Sequence, residues 1–201
     1  MDKINIKGNL SRHNLFYSND LVVKARFEVD LRGRDNSLKV EEGVTVTNLK
    51  VLYKGSNSSV SIGRNCRVGG IIIVEDNCNV VIGDGTKINN NATRIHCGEF
   101  GTSIKIGANC LLANVRFRTS DQHSIVDQHT GERLNKACDI EIEDNVWLAE
   151  EVNVYKGVTI ATGSVVAARS TVTKSLPSHC LCAGTPAKVV KEHISWDHKK
   201  L

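Results

Sequence analysis

From residue 142 onward an aliphatic side chain returns at every sixth position: Ile142, Leu148, Val154, Ile160, Val166 and Val172. Counted backwards in sixes, the same register meets Leu112, Ile106, Ile88 and Ile82, then Leu52, Val46 and Val40. A shifted register between Val46 and Ile82 carries Ile62, Val68 and Val74. A period of six is neither the 3.6 of an amphipathic helix nor the alternation of a half-buried strand. It predicts short strands joined by corners, one large inward aliphatic per flat face, and three hexads closing each triangular coil. A single hexad has nowhere to hide its aliphatic residue. Coils stacked about 4.8 Å apart bury them in one column, at about 1.5–3 kcal/mol for each side chain.

The fifth position of each hexad is small or β-branched: Cys66, Cys78, Thr86, Ala92, Cys110, Val146, Val152, Val158, Ser164 and Ser170. Three of the seven cysteines are thereby expected to be inward packing residues with no metal or redox role. Three segments leave the period. Residues 21–32 alternate, with Leu21, Val23, Ala25, Phe27, Val29 and Leu31 on one side, which predicts a strand leading into the first coil. Residues 118–138 form a polar excursion that returns in register, since thirty residues separate Leu112 from Ile142. Such an excursion is where function is expected to sit. Pro177 is expected to end the repeats, and 187–193 (AKVVKEH) to form a short C-terminal helix. The organisation expected is one domain: an N-terminal strand region (1–32), the repeats (33–177) and a C-terminal loop and helix (178–201).

Composition agrees with many short strands and tight corners: aromatics are 4% of the 201 residues, and there are 16 Gly and 2 Pro. The longest aliphatic run, Ile71 to Val74, is far short of the roughly 18 apolar residues that span a bilayer. The opening MDKINIKGNL lacks the apolar core of a signal peptide, so a cytoplasmic protein is expected. An odd number of cysteines without a C-x-x-C pair favours free thiols. The net charge of +4 equals the local excess of residues 169–201, where Arg169, Lys174, Lys188, Lys191, Lys199 and Lys200 face Glu192 and Asp197. A local basic end suits a phosphorylated small molecule. Nucleic acid would call for a broader basic surface with stacking aromatics.

Of seven histidines, His13, His179, His193 and His198 lie towards the termini, His96 near a coil edge, and His123 and His129 in the excursion. An unperturbed pKa near 6.5 makes a loop histidine a natural proton acceptor, and His123 is the one singled out. His96, His123 and His129 also make up a possible metal set, although two of them share the irregular segment and other ligand-type support is missing.

The hexads resemble the imperfect repeats of the left-handed parallel β-helix acyltransferases, over about residues 31–177. Ala113-Asn114-Val115 and Ser120-Asp121-Gln122-His123 are similar to the galactoside and maltose acetyltransferases. His123-Ser124-Ile125-Val126-Asp127, Thr130-Gly131-Glu132-Arg133-Leu134-Asn135 and Asn145-Val146-Trp147 resemble the O-acetyltransferases of bacterial capsular polysaccharides, polysialic acid among them. Val165 to Lys174 and Ala183 to Lys191 look like the C-terminal signature of these enzymes.

The resemblance implies an all-β solenoid, a left-handed parallel β-helix with an inserted loop, and transfer from acetyl-CoA to a hydroxyl of a surface polysaccharide sugar. It implies that His123 is the base and Trp147 an active-site residue. Asn89 would contact the acceptor, Asp121 would bind a sugar hydroxyl or orient His123, and Arg116, Arg118 and Arg133 would bind an anionic sugar. Ala149 and Ala168 would line the pantetheine channel, Thr173 and Lys174 approach the arm and nucleotide end, and Lys188 and Lys191 meet the phosphates. It further implies a homotrimer with active sites between subunits, no metal, no nucleic acid and no transmembrane segment. Peripheral contact with the inner membrane stays open. So do three alternatives: a small acceptor such as an amino sugar, nucleotide sugar, amino acid or antibiotic; a metal protein; and a structural β-helix without catalysis.

Overall fold

Each hexad supplies one strand and one corner, and the coils stack through parallel pairing. The computed structural model describes residues 4–89 and 92–199. The first face of the stack is a seven-stranded sheet: Asn14–Tyr17, Ser37–Val40, Ser59–Ile62, Asn79–Ile82, Ser103–Ile106, Ile140–Ile142 and Val158–Ile160. A fourteen-stranded sheet bends through Thr45–Tyr53 and Arg67–Val74 and forms the other two faces. The second face continues through Lys87–Ile88, Leu111–Leu112, Trp147–Leu148, Val165–Val166 and Leu181–Gly184. The third continues through Arg94–Cys97, Arg116–Arg118, Asn153–Tyr155 and Thr171–Val172. The solenoid has about eight turns.

The six-residue column is the core. Ile142, Leu148, Val154, Ile160, Val166 and Val172 are all buried, as are Leu112, Ile106, Ile88 and Ile82. Cys66, Cys78 and Cys110 are buried too, and burial pushes the Cys66 and Cys110 thiols up to about 11, which suits packing residues. Corners use left-handed backbone: between the first and second faces, Asn65, Asn109 and Asn145 have φ of 56, 54 and 58°. Asn is a residue that tolerates this region, and the turn aims its N–H at the coil before. The Asn109 amide donates to Asp84 O and the Asn145 amide to Ala108 O, both at 2.8 Å.

The strict count of six fails in places. Leu52 is half-buried and faces outward while Val51 and Tyr53 point in, because the Thr45–Tyr53 pairing shifts register after Val46. Ala25 is exposed through a similar shift between Val23 and Arg26. Ala92 is exposed, and Thr93 fills the inward slot in its place. After Leu112 the inward pair is Val115 and Phe117, one residue short of a hexad, so the excursion does not return by unbroken sixes.

The ends also differ from expectation. Asn14–Tyr17 and Val22–Leu31 pair in parallel with Ser37–Val40 and Thr45–Tyr53, so coils are already stacking before residue 33. The coil continues past Pro177, with Leu176, Cys180 and Cys182 buried. No helix forms at 187–193. Ala187–Lys191 is a strand antiparallel to Leu181–Gly184. A last coil leaves a row of unpaired N–H and C=O groups, and a β-branched Val189-Val190 strand satisfies them where a two-turn helix would be marginal.

Candidate active site

The excursion leaves the third face at Arg118 and rejoins the first at Ile140. Its tip is a small hairpin, bridged between Val126 and Arg133. The Asp127 carboxylate caps the turn by accepting from the His129 and Thr130 amides, each at 2.8 Å. Asn135 ties the base: its Nδ2 donates to Asp121 Oδ2 and to the His123 carbonyl, both at 2.8 Å, and its Oδ1 accepts from the Ile125 amide at 2.7 Å. Arg133 donates through both Nη atoms to Glu99, at 2.8 and 2.6 Å. Asp121 also pairs with Lys156. The Lys156 contact holds the Asp121 carboxyl below its usual range, and Arg133 does the same for Glu99. Asp121 and Arg133, expected at the acceptor, thus have partners that shape the excursion. The His123 side chain is exposed at its outer arm.

The residues expected to meet the donor lie elsewhere. At the corner after the second face, the Asn89 amide donates to Leu112 O at 2.9 Å, Ala113 to Leu148 O at 3.2 Å, Ala149 to Val166 O at 3.0 Å and Ala167 to Cys182 O at 2.8 Å. Asn89, Ala113, Ala149, Ala167 and Ala183 therefore stack, one per coil, along about 19 Å at 4.8 Å for each coil. Ala168, exposed, turns the same corner. Ala183 pairs with Lys188 on the closing strand, and Leu181 with Lys191, so both lysines stand at the far end of this stripe. Thr173 and Lys174 are exposed just after Thr171–Val172. Asn90 and Asn91, beside Asn89, and Lys200 of the basic end lie outside the described residues.

Trp147 points outward from the second face, two residues before Ala149. The excursion springs from the corner between the third and first faces, which in a triangular prism is opposite the second face. One chain therefore does not bring His123 and Trp147 together.

The third face carries a groove that holds Arg116 and Arg118, both expected at the acceptor, beside Lys54, Arg94 and Gln122, which sequence reasoning missed. A cavity of about 560 Å³ is lined by Lys54, Arg94, His96, Arg116, Arg118 and Gln122 among others, and a second of about 430 Å³ continues it past Arg116 and Asn153 to Asn114 and Arg169. Arg94 and Arg116 are in register on adjacent coils. Within the groove, buried His96 holds Glu75 Oε1 through Nε2 at 3.1 Å, and Gln122 Nε2 reaches the same oxygen at 3.4 Å. Burial lowers the His96 pKa against the opposing pull of Glu75. Twenty or more residues separate these partners; coil stacking joins His96 to Glu75, and the base of the excursion brings in Gln122. His96, His123 and His129 do not converge. Among the described residues no group of three His, Cys, Asp or Glu could hold a metal ion, and no helix is long and apolar enough to cross a membrane.

No family model matches the chain. A polysialic acid O-acetyltransferase of Escherichia coli O1:K1 / APEC is 37% identical over 138 residues, 68% of this chain and 44% of that protein. The match thus spans less than half of that relative's length. The putative colanic acid biosynthesis acetyltransferase WcaF of Escherichia coli K12 is 33% identical over 66% of this chain and 69% of its own. Among solved structures, the polySia-specific acetyltransferase NeuO superposes with a TM-score of 0.92 at 34% identity, over 99% of this chain and 91% of its own. The polysialic acid O-acetyltransferase OatWY gives 0.90 at 28% identity, over 98% and 92%. A parallel β-helix of six-residue repeats is the class of the fold. The chain belongs to the hexapeptide-repeat acetyltransferases.

Proposed function

We propose that the protein is an acetyl-CoA-dependent O-acetyltransferase that modifies a hydroxyl of an anionic bacterial surface polysaccharide. The observation that carries this reading is the corner stripe from Asn89 through Ala113, Ala149 and Ala167 to Ala183, ended by Lys188 and Lys191. Small outward side chains leave room for an extended thioester arm against the coil wall, and the paired lysines suit its phosphates. Ala168 flanks that path and Asn89 stands at its acceptor end, while Thr173 and Lys174 lie across the third face, at the corner from which the excursion springs. The cationic groove beside the same corner suits an acidic polymer, in keeping with relatives named for polysialic acid.

Transfer is direct. The His123 imidazole takes the proton of the sugar hydroxyl as its oxygen bonds to the thioester carbonyl carbon. The carbon–sulfur bond then breaks, and the departing thiolate takes the proton back from the imidazolium. The Trp147 indole N–H faces the developing oxyanion. Because His123 and Trp147 lie on opposite sides of one prism, the site is completed by a neighbouring copy in a homotrimer. The exposed apolar tip of the excursion, Ile125, Val126 and Leu134, supports such docking. Acetyl-CoA as donor suits a cytoplasmic reaction.

The test is thioester consumption with acetyl-CoA by wild type and His123→Ala, across polysialic acid, neutral and other acidic capsule polysaccharides, and free sugars. Expected is turnover on an acidic polymer that His123→Ala lowers by about 10²–10⁴-fold with coenzyme A binding retained. Turnover on small acceptors alone would overturn the polymer assignment. Absence of coenzyme A binding would overturn the enzyme.

A further inference from the structure

We infer that Trp196 is a positioning residue for Trp147, and that the C-terminal segment 194–199 is a strap that sets the indole at the transfer corner. The inference rests on the placement of Trp147 in the acetyl-transfer site.

The chain has two tryptophans, and 49 positions apart they meet: their ring centroids are 5.9 Å apart with planes at 46°. Trp196 Nε1 donates to the Asn145 carbonyl at 2.7 Å. An indole N–H can only donate, so a half-buried Trp needs one acceptor, and the Asn145 carbonyl satisfies it. Asn145 has that oxygen to give because it is a corner residue of left-handed backbone, and the next coil's Gly163 amide bonds to Asp144 O instead. A second anchor lies two coils on at the same corner, where the Ile194 amide donates to His179 O at 2.9 Å. The His198 ring closes on the other side of Trp196 edge-on, at 4.9 Å and 77°.

The strap therefore runs back along the outer second face, whose outward column is Lys87, Leu111, Trp147, Val165 and Leu181. Val165 faces outward yet is only 7% exposed. The Trp147 backbone amide donates to Ser164 O at 2.9 Å, but its indole N–H makes no hydrogen bond among the described residues, so packing alone holds the ring and that N–H is left for a substrate. Packing against Trp196 restricts the tilt of that ring, and a tilt would swing the N–H away from the carbonyl beside Ala149.

The experiment compares full-length wild type, Trp196→Ala and Trp196→Phe in acetyl-CoA turnover, with near-UV circular dichroism and thermal unfolding alongside. Expected for Trp196→Ala is a fall in kcat of about tenfold with KM for acetyl-CoA and acceptor within about twofold. Trp196→Phe, which keeps the ring contact and loses the hydrogen bond, should recover most of kcat, while the coupled tryptophan signal disappears in both variants. Phe also serves if Ala fails to fold. A Phe variant that folds but is as slow as Ala, or a loss of kcat that follows only the fraction unfolded, overturns the inference. Unaltered kcat in folded Trp196→Ala overturns it while leaving the acetyltransferase reading intact. No turnover by the wild type overturns both.

Discussion

Arg133 grips Glu99 with both guanidinium nitrogens, at 2.8 and 2.6 Å, and so ties the returning arm of the excursion to the corner of an earlier coil 34 residues away. A fork-to-carboxylate pair restricts direction as well as distance, and the arm it restricts carries Asn135, which holds the carbonyl of His123. Arg133→Ala should therefore misplace His123 and lower kcat by about tenfold to a hundredfold. Lysine, a point charge, should rescue only in part. Faster cleavage within 118–138 by limited proteolysis is the independent check. Full activity with unchanged protease resistance would show that the excursion holds its shape without the pair.

The corrected register is testable through stability. Leu148 is fully buried in the inward column, so Leu148→Ala should cost about 2–5 kcal/mol. Leu52 satisfies the same count of six but lies half-exposed on the outer side, and Leu52→Ala should cost well under half as much. Urea unfolding midpoints of the two variants separate the outcomes; equal losses would place Leu52 inside.

Corner backbone makes a sharper demand. Asn109 sits at φ 54°, where a Cβ without a local polar partner costs about 1–2 kcal/mol. Asn109→Val should lower the melting temperature clearly, while Asn109→Gly should leave it nearly unchanged. A valine as well tolerated as glycine would contradict the left-handed corner.

Acid sensitivity should concentrate at Glu28. Its side chain is fully buried, with Lys50 Nζ at 2.9 Å, Lys7 Nζ at 3.3 Å and Arg26 in contact. The Lys50 hydrogen bond leads in holding its pKa down to about 2, against the upward push of burial. A carboxyl depressed in the folded state stabilises fully above its unfolded pKa of about 4.3 and loses that contribution as pH falls towards 2. The difference in unfolding free energy between wild type and Glu28→Gln should thus be constant from pH 7 to 5 and shrink between about pH 4.3 and 2. A difference that does not change with pH would show that Glu28 is not the titrating group.

Arg94 and Arg116 face the groove on adjacent coils, with no ion-pair partner among the described residues. Arg116→Ala should raise KM for an acidic polymer by about tenfold, the loss of roughly one charge-assisted hydrogen bond, and leave KM for acetyl-CoA unchanged. Added salt should weaken the wild type's acceptor affinity more than the variant's. Salt-independent acceptor binding would remove the groove from the acceptor path.

The period of six determined the solenoid, its core column and the packing role of Cys66, Cys78 and Cys110, because each hexad repeats one local problem: an aliphatic side chain that only a neighbouring coil can cover. The excursion was legible as a break in that period. Tertiary structure decided what a periodic count cannot express. Register shifts turned Leu52 and Ala25 outward, since a one-residue slip in a strand reverses its side chains. The open edge of the last coil made 187–191 a strand, and a β-branched run takes whichever pairing is offered. The His96–Glu75–Gln122 contact, the cationic groove and the Trp147–Trp196 stack join residues 20 to 50 positions apart that carry no mutual sequence signal. Gln122 and Trp196 are brought in by the excursion and the C-terminal strap. His96 meets Glu75 and Arg94 meets Arg116 because stacking brings equivalent positions of successive coils to about 4.8 Å, a distance that belongs to the sheet and not to any one hexad.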